Sequence, residues 1–293
     1  MHRINFDAAD ARSLMLPEIN KVELVLVGCG GTGSWLAPHL VRIARLFHDL
    51  HGIEPRVVFI DKDRVEERNT YRQNFVPAEI GRNKAEALAI RYGLSACTEI
   101  IASSKPFAVS DYQHGYTEEN TLGIFAGCVD NAAARRELEQ TLLLWRQNRF
   151  NVLVDCGNNK RSGQVIVGTT PVNDRNPFRT FPGYSTWLPK PSVWHKELAG
   201  ENSAEEKRSK RRRGAHGMSC AEIAMMDQQG LSINATIASI AADYLVHILL
   251  TQNLNRFATY VDLDGTMMHR YITPRVIKKT VLKESLKGLQ EMF

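Results

Sequence analysis

The residues best suited to chemistry fall in a few short stretches of the amino-terminal half. GCGGTGS supplies Gly28, Gly30, Gly31 and Gly33 in a G-x-G-x-x-G arrangement, directly after the apolar run Val22 to Val27 and at the start of a helical pattern. Missing side chains let an anion approach the backbone, and the free N–H groups and dipole of a helix start favour negative charge. Asp61 ends a second apolar run, Arg56 to Ile60, where an acid accepts hydrogen bonds from ribose hydroxyls. The interval between glycines and acid is longer than the about 20 residues of the usual dinucleotide fingerprint, which counts against an ordinary NAD enzyme. Arg72 and Lys84 follow, then Asp130 and Asn131 in GCVDNAAARRELEQ. Either basic residue alone reads as a solvated surface charge; beside a glycine turn they read as site residues. Taken alone, Asp130 reads as a helix cap.

These residues need a scaffold that gathers them. Val22 to Val27, the glycines and the spaced apolar residues Trp35, Leu36, Leu40, Ile43, Ala44 and Phe47 read as strand, turn and helix. Arg56 to Ile60 and a helix from Asn83 to Tyr92 complete a βαβ unit. Thr121 to Ala126 and Val152 to Val154 read as further strands, with a helix over Ala132 to Gln147 between them and another strand over Gln164 to Val167. The alternation predicts an α/β fold: a Rossmann-like, doubly wound, mostly parallel sheet with helices on both faces. Gly28, Asp61 and Asp130 then all stand at carboxyl ends of strands, where such sheets bind ligands.

Prolines at 171, 177, 182, 189 and 191 break the periodicity from Thr170 to Gly217, which reads as a long mobile crossover and a candidate lid. Asn234 to Leu250 resumes a helix, Thr259 to Leu263 and Met268 to Ile272 form a hairpin around Asp264-Gly265, and Val276 to Met292 reads as a basic helix. A single domain over residues 1–293 is expected, with 170–217 as the crossover and 251–293 as a carboxyl-terminal extension.

Composition narrows the class. Of 293 residues, 43% are apolar and 24% charged, the balance of a globular protein rather than a disordered one. The amino terminus has no apolar core of a signal peptide, and Ile237 to Leu250 is short for a span and carries Asp243 and His247, so a cytoplasmic protein without membrane contact is expected. The five cysteines, at 29, 97, 128, 156 and 220, form no CxxC pair, and no zinc is expected. The net charge of +5 owes much to Lys207 to Arg213 and does not by itself predict nucleic-acid binding.

The string from Asp61 to Gln73, D-x-D-x-V-x-x-x-N-x-x-R-Q, followed by a lysine just after a glycine, resembles the ATP-binding signature of the ThiF/MoeB/HesA-like superfamily of ubiquitin-activating-type adenylyltransferases. The resemblance implies ATP and magnesium as cofactors. It implies that Asp61 holds ribose with Asp63 near the nucleotide, that Asn69, Arg72, Gln73 and Lys84 surround the phosphates, and that Asp130 holds magnesium with Asn131 and Arg135 nearby. Attack of a carboxylate on the α-phosphate brings two anions together and expels pyrophosphate, which gives Arg72, Lys84 and the metal a reason to be there. The implied substrate is the carboxyl terminus of a small ubiquitin-like or sulfur-carrier-like protein, and the implied assembly is a homodimer in which an arginine, Arg12 or Arg3, crosses between subunits.

Ser219-Cys220-Ala221-Glu222 resembles the segment in which relatives carry a thiol for later thioester or persulfide chemistry. Cys220 is the candidate nucleophile; a small buried hydrophobe is the other reading of it. Cys29 sits inside the glycine turn, where a reactive thiol would interfere with phosphate approach, and Cys97, Cys128 and Cys156 read as packing residues. The zinc-free form and basic crossover are also similar to ThiF-like proteins of bacterial ParB-related, ThiF-related cassettes, which include a ubiquitin-like protein. Three other readings stay open: adenylation of a tRNA-linked carboxyl group, a non-catalytic nucleotide-binding scaffold, and an NAD-dependent oxidoreductase or methyltransferase.

Overall fold

A computed structural model describes residues 6–96, 98–112, 120–144, 149–171, 176–181, 183–199 and 231–280. In chain order the elements are α1 (Phe6–Ala9), β1 (Ser13–Leu14), β2 (Lys21–Val27), α2 (Gly31–His51), β3 (Arg56–Ile60), α3 (Lys84–Ala96), β4 (Ile100–Ser103), β5 (Thr121–Gly127), α4 (Ala132–Gln140), β6 (Arg149–Asn158), β7 (Ser162–Thr169), β8 (Tyr184–Ser185), α5 (Pro191–Trp194), α6 (Leu231–Leu249), β9 (Arg256–Asp262) and β10 (Thr266–Tyr271). Eight strands form one sheet in the order β10-β9-β7-β6-β5-β2-β3-β4. From β4 to β6 neighbouring strands are parallel; β7, β9 and β10 continue the sheet antiparallel. The fold is therefore α/β and mostly parallel.

Strand order reverses at β2, which lies between β3 and β5. Such a switch point opens a crevice beyond the strands' carboxyl ends, and the glycine turn, Asp61 and the Cys128–Asp130 loop all leave the sheet there. β2 and β5 are buried along almost their full length, as strands covered on both faces must be. The larger core packs α2, α3 and α6 against one face; the smaller packs Leu138 and Leu142 against Val25, Val58, Phe125 and Leu153 on the other.

Local chemistry explains the element ends. Gly52 adopts φ 69° and donates to His48 O at 2.8 Å, closing α2 with a left-handed cap. The helix expected to run from Ala132 to Gln147 becomes a 3₁₀ turn at Thr141–Leu143. Thr141 Oγ1 donates to Leu138 O at 2.6 Å and Thr141 O accepts from Asn151 Nδ2 at 2.7 Å, so the side chain competes with helix continuation. The expected hairpin turns at Gly265, φ 122°.

Two parts differ from expectation. The proline-rich stretch includes β8, which pairs with β1, and α5, where Trp194 stacks on Phe257. The helix read from Asn234 begins at Leu231, so Ser232–Leu249 reaches the length and apolarity of a membrane span; 56% of it is buried, and it packs on α2, β6 and β7 as a core helix.

Candidate active site

The crevice starts with the glycine turn. Gly28, at φ 87°, leaves β2 and donates to Ile60 O at 2.9 Å, which ties the ends of β2 and β3 together. A Cβ on Gly33 would lie 1.8 Å from Gly28 O, so α2 reaches the turn only because position 33 has no side chain. Gly30 is different: a Cβ there would meet nothing nearer than Gln73 Nε2, at 4.0 Å. Its carbonyl accepts the first helical bond, from Ser34 N at 3.0 Å, and no side chain caps the helix. The uncapped first turn of a 21-residue helix thus faces open space at Gly30, the arrangement that attracts an anion. The Cys29 side chain turns inward: it is fully buried, and burial first, then the Asp61 charge, pushes its thiol well above the ordinary range.

Asp61 clips this turn to the next. Its Oδ2 accepts from Cys29 N at 2.7 Å and its Oδ1 from Asp63 N at 2.8 Å, so each oxygen keeps a lone pair for a further donor. Burial raises its carboxyl pKa, opposed by the Asp63 N–H, Lys84 and the Cys29 N–H. Asn83 secures the corner: Nδ2 donates to Asp61 O at 2.6 Å and to Asp63 O at 3.1 Å, while Oδ1 caps α3 through Glu86 N at 3.1 Å.

Lys84 opens α3 and is only 8% exposed. Its ammonium has an ion pair with Asp63 Oδ2 at 4.0 Å, and its charge also acts on Asp61 and Cys29. A buried cation at a helix amino terminus incurs a desolvation penalty and opposes the dipole, and its one ion pair among the described residues, long and to a largely exposed carboxylate, offsets little of that. The arrangement makes sense for an anionic ligand over the turn.

Asn69, Arg72 and Gln73 share one tight segment. Asn69 is buried and its Oδ1 accepts from Glu66 N at 2.9 Å; its carbonyl accepts from Arg72 N and Gln73 N. Gln73 is 8% exposed, and its Oε1 has no hydrogen-bond partner among the described residues. A buried amide oxygen left open beside Gly30 calls for a donor from a ligand or water. Arg72 is half-buried, and its carbonyl accepts from Trp35 Nε1 at 3.4 Å.

Asn74 holds this segment in place, although no sequence motif includes it. Pro38 cannot donate to Ser34 O, and Asn74 Nδ2 takes that carbonyl instead at 3.2 Å. Asn74 N also donates to Ser34 Oγ at 2.9 Å, and Nδ2 reaches Tyr92 of α3 at 2.8 Å. A proline inside a helix that starts at a glycine turn is the signal that points to such a latch.

Asp130 and Asn131 divide the roles considered for Asp130. Asn131 is the cap of α4, accepting from Ala134 N at 2.9 Å. Asp130 is exposed and takes one hydrogen bond among the described residues, from Asn131 Nδ2 at 3.3 Å. Its loop abuts the glycine turn, since a Cβ on Gly28 would stand 2.6 Å from Cys128 O. Arg135 lies next to the Asp130 loop, donating to Val129 O at 3.1 Å, and its guanidinium also forms a buried pair with Asp155 and donates to Cys156 O at 3.4 Å. Asp155 belongs to no motif in the sequence; burial pushes its carboxyl up to about 6, against the pull of Arg135.

Arg12 hydrogen-bonds its own chain, through Nη1 to Asp10 O at 3.1 Å and through its backbone N to Ile272 O at 2.8 Å. Arg3, Cys97, Cys220 and the basic run Lys207 to Arg213 lie outside the described residues. Among the described residues no group of three or more His, Cys, Asp or Glu could hold a metal ion.

This arrangement, a glycine turn flanked by Asp61, Gln73, Lys84 and Asp130, agrees with a family match: the model of the ThiF family matches residues 4–281. The chain belongs to the ThiF family. Among solved structures, this ThiF-family chain is similar to Escherichia coli MccB with ATP, at 15% identity and a TM-score of 0.52, covering 87% of this chain and 65% of that one. MccB with AMPCPP and selenomethionine MccA gives 15% and 0.51, covering 87% and 64%. Selenomethionine PaaA gives 14% and 0.51, covering 87% and 65%. The chain thus spans just under two thirds of the length of these relatives, and at such identities the likeness is one of fold. No curated protein matches the sequence.

Proposed function

We propose that this ThiF-family protein binds ATP in the crevice and adenylates a carboxyl group, that of the carboxyl terminus of a small ubiquitin-like or sulfur-carrier-like protein. The observation that carries the reading is a pair of buried, poorly satisfied groups at the glycine turn: the Lys84 ammonium, whose charge acts on Cys29 and whose one ion pair among the described residues spans 4.0 Å, and Gln73 Oε1, near Gly30, with no hydrogen-bond partner among the described residues. Each lacks a partner that a nucleotide would supply. Membership of the ThiF family and the likeness to a protein solved with ATP and with MccA support the same assignment.

In this reading the N–H groups at the start of α2 and the Lys84 ammonium hold the phosphates, while the open lone pairs of Asp61 accept the ribose hydroxyls. Arg72 adds positive charge from the segment that Asn74 latches to α2. The substrate carboxylate attacks the α-phosphorus, a new P–O bond forms, the bond to the β-phosphate oxygen breaks, and pyrophosphate leaves. Fixed cations answer the charge gathered in that step. Magnesium fits the donor set, because Asp130 offers an exposed carboxylate at the crevice and magnesium commonly takes one or two protein carboxylates with phosphates and water; when bound it would neutralise phosphate charge. A later thioester or persulfide step at Cys220 rests on the sequence resemblance.

Thermal denaturation with ATP and magnesium, with NAD, and with neither tests the ligand class. ATP should raise the midpoint and NAD should leave it unchanged; stabilisation by NAD alone refutes the reading.

A further inference from the structure

Asn234 has no part in the sequence motifs, yet its side chain touches the glycine turn. It sits in the first turn of α6, is 4% exposed, and lies flat against Gly31: a Cβ on Gly31 would be 2.6 Å from Asn234 Oδ1, 3.0 Å from Cγ and 3.1 Å from Nδ2. The same Oδ1 accepts from Asn158 Nδ2 at 2.6 Å, at the carboxyl end of β6, and from Thr32 Oγ1 at 3.4 Å, in the first turn of α2. One carboxamide therefore joins the turn, β6 and α6.

We infer that Asn234 is a positioning residue for phosphate binding: it fixes Gly31 and Thr32 so that the first N–H groups of α2 converge on the anion. The inference rests on the ATP reading of the crevice. Gly31 has no side chain of its own to restrict it, and the Asn234 amide wall supplies that restriction from another helix. The chemistry suits an anion site. An amide oxygen brought to a helix start would repel phosphate, but both donors that bind it engage its lone pairs. A carboxylate in the same place could still accept from Asn158 and Thr32, keeping the joint while adding a negative charge beside the phosphates.

The contrast between ATP and adenosine separates positioning from a general packing role, because adenosine uses the Asp61 side of the crevice and has no phosphate. Titration calorimetry on the full chain, with wild type, Asn234→Ala, Asn234→Asp, Asn158→Ala and Lys84→Ala, supplies the comparison. Asn234→Ala and Asn158→Ala should weaken ATP about tenfold, the scale of one hydrogen bond to a charged group. Adenosine affinity should stay within about twofold, because no hydrogen bond to the nucleoside is removed. Asn234→Asp should weaken ATP further, to roughly a hundredfold, through like charge at short range. Equal weakening of ATP and adenosine, or no change for either, overturns the inference. Wild type that binds no ATP overturns the parent reading as well, whereas wild type that needs Lys84 for ATP while tolerating all three asparagine variants overturns only the role of Asn234.

Discussion

Replacing Lys84 with methionine should make the ligand-free protein more stable and its ATP complex weaker. Lys84→Met keeps an unbranched side chain of similar length in a site where the lysine side chain is 10% exposed. The substitution removes an ion pair at 4.0 Å to a carboxylate that is 57% exposed, worth well under about 1 kcal/mol. The penalties it relieves are larger. A cation in the first turn of α3 opposes the helix dipole by about 0.3–1 kcal/mol, and exchanging buried charge for a well-packed apolar group is often neutral or stabilising by about 1–4 kcal/mol. The net expectation is a stabilisation of about 1–3 kcal/mol, or a midpoint rise of roughly 2–4 °C per kcal/mol. ATP binding forfeits a charge-assisted hydrogen bond of about 1.5–3 kcal/mol, roughly ten- to a hundredfold in Kd. Urea denaturation of both proteins with and without ATP and magnesium measures both effects. Lower stability of the ligand-free variant with unchanged stabilisation by ATP would refute the argument by making Lys84 a structural residue.

The glycines should separate in the same assay. Gly33→Ala, whose Cβ would stand 1.8 Å from Gly28 O, should be destabilised by about 3 kcal/mol or more, or fail to fold; Gly30→Ala, with nothing nearer than 4.0 Å, should stay within about 1 kcal/mol of wild type while losing stabilisation by ATP. At the next loop, Asn131→Ala should cost about 1 kcal/mol by removing a helix cap, and Asp130→Asn should leave the denaturation midpoint unchanged while abolishing the magnesium dependence of nucleotide binding in calorimetry. Asp155 gives a pH signature. Its folded pKa of about 6 lies above the unfolded value, so the native state binds the extra proton and stability falls as pH rises from about 4 to 6, then levels. Urea midpoints across that range should show the decline in wild type, and Asp155→Asn should lack that component.

What the sequence revealed was local. The glycine turn, Asp61 at the end of β3 and the Asp264-Gly265 hairpin each follow from periodicity or turn chemistry within a few residues, and the parallel sheet follows from the alternation of those local strands and helices. What it hid depends on partners far along the chain. Arg135 finds its carboxylate partner, Asp155, on β6, 20 residues on. Asn234 hydrogen-bonds Thr32 across 202 residues, and the glycine motif that contains Thr32 gives no sign of it. β4, four residues on a half-exposed edge, is too short for its alternation to show. The continuation of the sheet through β7, β9 and β10 is hidden for another reason: each strand is legible from its own residues, but its pairing is not.

The central claim is that the crevice activates a carboxyl group with ATP. Pyrophosphate exchange into ATP tests it most directly, with the full chain, magnesium and a small ubiquitin-like protein bearing a free carboxyl terminus. Exchange that requires that carboxylate, falls by at least about tenfold in Lys84→Ala and survives in Cys220→Ala is the predicted result. ATP binding without exchange, for this carrier and for other carboxyl donors including tRNA, would contradict it and leave a nucleotide-binding scaffold.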